Sequence, residues 1–305
     1  KLRELVKLHP KTLWVIRNHS KISFLSNEGI AFDWMLEYST IPNVIVSSNN
    51  KEAVKSITSL FKIKNPTASE YQILKKTQYL PNYYPLSKCD HEYEPDSEYI
   101  NVGCFGAIRP LKNHLVQATA AIEFAKRLNK KLRFHINSSR VEGRGDAILK
   151  NLINMFKHMP DAELIEHEWL PHDQFIKDVV RKMHVCLQVS FSETFNIVAA
   201  DAVNEQIPIV GSNEIEWIHP ENYAGVNDHQ DIVEKMLYAY HNRVLPGNYD
   251  KNKSSLKKYN TISEHIWLSF INHSVLLNED TETSDKHNFW YDLLNNVEKF
   301  LDEKI

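Results

Sequence analysis

Between residues 99 and 217 short apolar runs alternate with stretches of helical periodicity, and this alternation constrains the fold more than any other feature. Residues 99–106 (YINVGCFG) read as a buried strand, followed by a helical pattern over 114–128 with Leu115, Ala118, Ile122 and Ala125 on one face. Strands at 132–137, 163–166, 184–189 and 207–211 are then separated by helical patterns at 147–158, 173–183 and 196–206. Asp173 is the expected N-cap of the helix it begins. Strand–helix repetition of this kind implies right-handed crossovers and a parallel, doubly wound sheet. Ligands of such sheets bind beyond the carboxyl ends of the strands.

The first 86 residues read as part of a similar layer. Residues 12–16 (TLWVI) and 43–46 (NVIV) are strand-like, 53–61 is helical, and 77–80 leads into Pro81-Asn82. The polar, acidic stretch 87–98 reads as a linker. The second unit is expected over 99–270, with a polar loop at 245–259, a helix at 263–270 and a terminal segment, 271–305, containing a helix at 289–301. The chain opens on Lys1 with what reads as the end of a helix, so the first domain is expected to be incomplete.

Composition narrows the class. The length, 305 residues, suggests about two domains. Apolar residues make up 42%, enough for a substantial core. No run approaches the ~18 apolar residues of a membrane span. The formal charge of −3 argues against a general nucleic-acid coat, leaving only local basic patches. One such cluster is Arg127, Lys130, Lys131 and Arg133; another is Arg140 with Arg144. Three widely spaced cysteines form neither a disulfide framework nor a zinc site, so a reducing, cytoplasmic setting is the expectation. His167, His172 and His184 lack metal-ligand spacing and read as structural or surface residues.

Two loops carry the chemistry. The first, Gly106-Ala107-Ile108-Arg109-Pro110-Leu111-Lys112, follows the first strand of the second unit. Gly106 permits a close turn, Arg109 can fork onto phosphate oxygens, and Lys112 adds a point charge. A solvated basic loop is the plain alternative. Neither G-x-G-x-x-G nor a P-loop is present. The second stretch runs from Ser192 through Glu193, Thr194, Phe195, Asn196 and Ile197 to Asp201. Eight helical steps rise ~12 Å, which could span from one end of a nucleotide sugar to the other. The loop opens a helix N-terminus, where unpaired N–H groups favour anions. Glu193 could instead merely complement the helix dipole, worth ~0.3–1 kcal/mol. Asp201 lies in an apolar run, where a carboxylate needs a partner.

In order and spacing, G-x-x-R-x-x-K followed by an acid, seven residues, a second acid and then P-I-V-G resembles the nucleotide-binding domain of retaining GT-B glycosyltransferases (the family 4-like, group 1 enzymes). Here the second acid is Asp201 rather than Glu, and Thr194 and Asn196 stand where the family usually has Gly. The likeness implies an α/β GT-B fold of two Rossmann-like domains facing a cleft, the amino-terminal one truncated, with a terminal helix crossing back. It implies sugar transfer from a nucleoside-diphosphate sugar, UDP or GDP, to an acceptor hydroxyl with retention. It implies no metal and no cofactor. Arg109 and Lys112 would then neutralise the diphosphate, and Glu193 would position the sugar. Asp201 would bind ribose, and the N–H groups of Phe195, Asn196 and Ile197 would cradle phosphate. Trp169 and Leu170 stand where the family holds the base, and Arg140 follows another strand end. His19 corresponds to a sugar-contacting histidine of the first domain. The acceptor stays open among glycan, lipid, small molecule, protein and modified nucleic acid. A catalytically inactive nucleotide-sugar-binding module and a transferase acting on modified nucleic acid are the alternatives.

Overall fold

The computed structural model describes residues 1–27, 29–89, 97–243 and 248–277. The chain forms two compact units, one of residues 1–83 with those from 259 onward, the other of residues 84–258.

The second unit opens on β4 (Tyr99–Gly103), after three strands in the first. It continues through α5 (His114–Arg127), β5 (Lys131–Asn137), α6 (Asp146–Lys157), β6 (Ala162–His167) and α7 (His172–Asp178). Then come β7 (Val185–Gln188), α8 (Ile197–Asn204), β8 (Ile209–Gly211) and α9 (His229–His241). All its strand pairs are parallel, in the order β6-β5-β4-β7-β8. The first strand therefore lies at the centre, and the winding reverses between β4 and β7. The strands are apolar runs because helices cover both faces. Ile100, Val102, Leu132, Phe134, Ile136, Val185 and Leu187 are all fully buried, packed against Ala118, Ala121 and Phe124 of α5 and Leu152 of α6.

The first unit contains α1 (Leu2–Leu8), β1 (Trp14–Asn18), α2 (Ala31–Tyr38), β2 (Val44–Ser48), α3 (Lys51–Lys64), α4 (Glu70–Lys76) and β3 (Thr77–Tyr79). Its described sheet has three parallel strands in the order β1-β2-β3. Asn50 caps α3 by accepting from the Ala53 N–H, and Ser69 with Gln72 forms a capping box on α4. Ile262, Ile266 and Phe270 of α10 (Asn248–Leu277) pack on Ile45, Tyr79 and Leu80. Trp267 Nε1 donates to the Pro81 carbonyl (2.8 Å).

Several sequence expectations need correction. Residues 248–259 are helical rather than a polar loop. Their Lys and Asn residues conceal a buried stripe, Asn252, Leu256 and Asn260. The α7 helix stops at Asp178 and gives way to a 3-10 turn at Val180–Lys182. Pro171, not Asp173, is its N-cap; Asp173 lies in the first turn. The helix expected at 289–301 and part of the expected linker lie outside the described residues. No described helix is long and apolar enough to cross a membrane.

Candidate nucleotide-sugar site

The loops after β4 and β7 flank the point where the sheet reverses its winding, which is where ligands of doubly wound sheets bind. Side chains tie these loops together. Gln117, one turn into α5, accepts from the Val189 N–H (2.8 Å) and donates to the Lys112 carbonyl (2.7 Å). Asn113, the left-handed N-cap of α5, donates to the carbonyls of Val189 and Val226. The Phe191 N–H donates to the Leu111 carbonyl (2.9 Å).

These ties bring Lys112 against Glu193, with Nζ and Oε1 2.6 Å apart and side chains only 8% and 7% exposed. Lys112 also lies 3.4 Å from Gln188 Oε1. Gln188 is held in turn by donating to the Phe105 carbonyl and accepting from Asn196 Nδ2 (2.8 Å). Asn196 begins α8 at φ +56°, and its Oδ1 accepts from the Ala199 N–H. Asparagine tolerates this left-handed conformation better than most residues. It therefore takes the backbone position a glycine would occupy and caps the helix as well. Phe195 is buried between Tyr84 and Trp217, and its carbonyl accepts from Trp217 Nε1. Ile197 is exposed at the start of α8, and Thr194 is half-buried beside it.

On the other side of the β4 loop, Gly106 has φ +113°, and its N–H donates to Asn137 Oδ1 (3.0 Å). Gly145 is required for a different reason: a Cβ there would stand 2.0 Å from the Ile108 carbonyl oxygen. This close approach sets Arg109 beside residues 140–142. Glu142 bridges two cations, Arg109 Nη1 at 3.1 Å and Arg140 Nε at 2.5 Å. The Arg140 guanidinium lies 5.8 Å from the ring centre of Trp169, which is 68% exposed; Leu170 beside it is half-buried.

Asp201, 2% exposed, is held at one oxygen only. Its Oδ1 accepts from the Tyr84 hydroxyl (2.8 Å) and from His172 Nε2 (3.0 Å). Burial raises the Asp201 pKa, opposed by these two hydrogen bonds. Burial and the neighbouring carboxylate push the Tyr84 hydroxyl up strongly, so it stays a donor.

His19 belongs to the first unit. There Arg17, donating to the Leu80 carbonyl and Asn82 Oδ1, lies 3.4 Å from His19 Nδ1. Desolvation and Arg17 lower the His19 pKa.

Sequence reasoning missed Tyr84, His172, Glu142 and Gln188. Only the apolar run around Asp201 signalled that a partner was needed. It also missed His114, 1% exposed, with neither ring nitrogen hydrogen-bonded and its pKa driven down to about 3 by burial beside Lys112 and Arg109. The basic clusters are largely neutralised: Arg127 pairs with Glu123 and Glu234, Lys131 with Glu98, and Arg133 with Glu163.

No protein-family model matches the sequence, and no curated protein matches it. Solved structures do. An α,α-trehalose-phosphate synthase (UDP-forming) from Burkholderia vietnamiensis superimposes with a TM-score of 0.65 at 10% identity, over 91% of this chain and 71% of its own. A point mutant of S. aureus TarM, solved with fondaparinux, α-GlcNAc-glycerol and UDP, gives 0.60 at 13% identity, over 87% of this chain. The chain spans about half the length of that TarM structure (50%). An E. coli structure bound with UDP-2-fluoro glucose gives 0.58 at 10% identity, over 93% of this chain and 67% of its own. The fold shared with these proteins is the GT-B α/β fold expected from the sequence, with Rossmann-like units built on parallel sheets.

Proposed function

We propose that the chain transfers a sugar from a nucleoside-diphosphate sugar to an acceptor hydroxyl, with retention at the anomeric carbon and no metal. The observation that carries this reading is the buried Lys112–Glu193 pair at the point where the sheet reverses its winding. The hardest charge to stabilise in such a transfer is the one developing on the departing diphosphate. Preorganised cations and backbone dipoles stabilise it without reorganising. Lys112, Arg109 and the first-turn N–H groups of α8 supply them, each charged hydrogen bond contributing roughly 1.5–3 kcal/mol. Glu193, held against Lys112, positions the sugar. The acceptor hydroxyl attacks from the face the diphosphate leaves. Trp169 offers an exposed ring, and Leu170 its backbone, to the base. UDP is the first donor nucleotide to test, because UDP accompanies the TarM structure and the E. coli structure holds a UDP sugar. The cytoplasmic setting belongs to the same reading; among the described residues the three cysteines form no disulfide, and burial pushes the Cys104 thiol up to about 12.

Calorimetry with UDP, GDP, ADP, CDP and dTDP, without added metal, tests this reading. One diphosphate binds, and Lys112→Ala weakens it. Binding that Lys112→Ala leaves unchanged removes Lys112 from the phosphate site. A bound diphosphate whose sugar derivatives support no turnover with any acceptor leaves an inactive binding module. Retention of modified duplex DNA at low salt would favour the nucleic-acid alternative, although ion pairs already neutralise most of the basic clusters.

A further inference from the structure

We infer that Tyr84 and His172 are positioning residues that aim Asp201 at the sugar hydroxyls of the bound nucleotide and so make the site selective for ribose over deoxyribose. The inference rests on the nucleotide-sugar reading above and concerns how the shorter acid works there. A carboxylate offers about four acceptor positions. Oδ1 of Asp201 receives two donors, Tyr84 and His172, whereas Oδ2 accepts no hydrogen bond from any described residue. Although the residue is buried, Oδ2 is not among the buried polar atoms that lack a partner, so it remains open to a donor from outside the protein. A vicinal diol supplies two hydroxyl donors close together.

The two clamping residues come from different places. Tyr84 precedes the second sheet, and its ring stacks on Phe195 in the loop that opens α8 (centres 6.4 Å apart, planes at 28°). His172 begins α7, three residues after Trp169, and is 60% exposed. Asp201 thus lies between the loop that opens α8 and the loop bearing the exposed tryptophan. Aspartate is one methylene shorter than the glutamate of the family it resembles, so its orientation is more restricted. Two donors fixed on one oxygen remove the remaining freedom and leave Oδ2 as the acceptor.

The test is calorimetry on the full chain with UDP, GDP and ADP and with the 2′-deoxy and 3′-deoxy analogue of each. The expected result is a preference for a ribonucleotide of about tenfold or more, the worth of a hydrogen bond to a charged group. Tyr84→Phe and His172→Ala each abolish that preference, weakening the ribonucleotide more than its deoxy analogues. His172→Gln, which keeps an N–H donor, restores it. Tyr84→Phe retains the ring stacked on Phe195, and the His172 change is at an exposed position, so both variants are expected to fold. Equal losses for ribo- and deoxynucleotides would assign the pair a merely structural role and overturn the inference. An unchanged preference would overturn it too. Failure of every diphosphate to bind the unmodified chain would instead sink the nucleotide reading, and this inference with it.

Discussion

Lys112 Nζ lies 2.6 Å from Glu193 Oε1, so the cation proposed for the diphosphate and the carboxylate proposed for the sugar neutralise each other. Removing one member of a buried pair leaves the other charge uncompensated, a loss of roughly 3–5 kcal/mol. Lys112→Ala is therefore expected to lower thermal stability as well as diphosphate affinity. Glu193→Gln keeps the shape and frees the lysine. It should bind diphosphate at least as tightly as the unmodified chain while losing transfer. Calorimetry paired with a turnover assay separates these effects, and a parallel fall in both would show Glu193 holding the loop instead.

Glu142 restrains two arginines at once. With the carboxylate gone, both guanidiniums lose this ion-pair partner, and an incoming anion no longer competes with it. Glu142→Gln should tighten diphosphate binding several-fold, about 1 kcal/mol for a part-exposed pair. The salt dependence of binding should steepen. Titration at two ionic strengths checks this, and weaker binding would mean the bridge is needed to aim Arg109.

Asn196 does two jobs that single substitutions separate. Asn196→Ala forces a Cβ-bearing residue without a local hydrogen bond to keep φ +56°, costing roughly 1–2 kcal/mol. The lost cap adds about 1 kcal/mol. Asn196→Gly relieves the first cost but also loses the bond to Gln188. Thermal unfolding should therefore rank the native chain above Gly, and Gly above Ala. A reversed order for the two variants would show that backbone strain is not the larger effect.

Acid sensitivity should begin with histidine. Burial holds His114 and His135 down to about 3 from an ordinary 6.5. The unfolded chain takes up these protons near pH 6.5, whereas the folded chain does not. Stability is therefore complete above that pH and falls as pH drops from 6.5 toward 3. Asp201, whose pKa is raised, works in the opposite direction. Midpoints of thermal unfolding between pH 7 and 5 should fall, and His114→Leu should flatten the slope. An unchanged slope would remove His114 as its source.

Periodicity sufficed to place the second sheet, because a strand buried on both faces cannot be other than apolar. The two loops were legible as well: Arg109 and Lys112 sit after one strand, and Glu193 just before a helix. Their partners were not, because Glu142, Gln188 and His172 are distant in sequence or ordinary in composition. Nothing in the letters of Tyr84 shows that it reaches Asp201 across 117 positions. Residues 248–259 misled for another reason. A helix that buries asparagines and one leucine among lysines has no strong apolar period.

Carboxamides provide much of the rigid frame around the paired charges. Gln117, Asn113, Gln188, Asn196 and Asn137 hold the loops by donating and accepting without carrying charge. Neither protons nor counterions compete strongly for such bonds. Ionic strength should act on what the site holds while leaving these bonds alone. A response of binding to salt can then be read as a property of the ligand contacts, and a single Asn→Asp or Gln→Glu change would be enough to make this frame titratable.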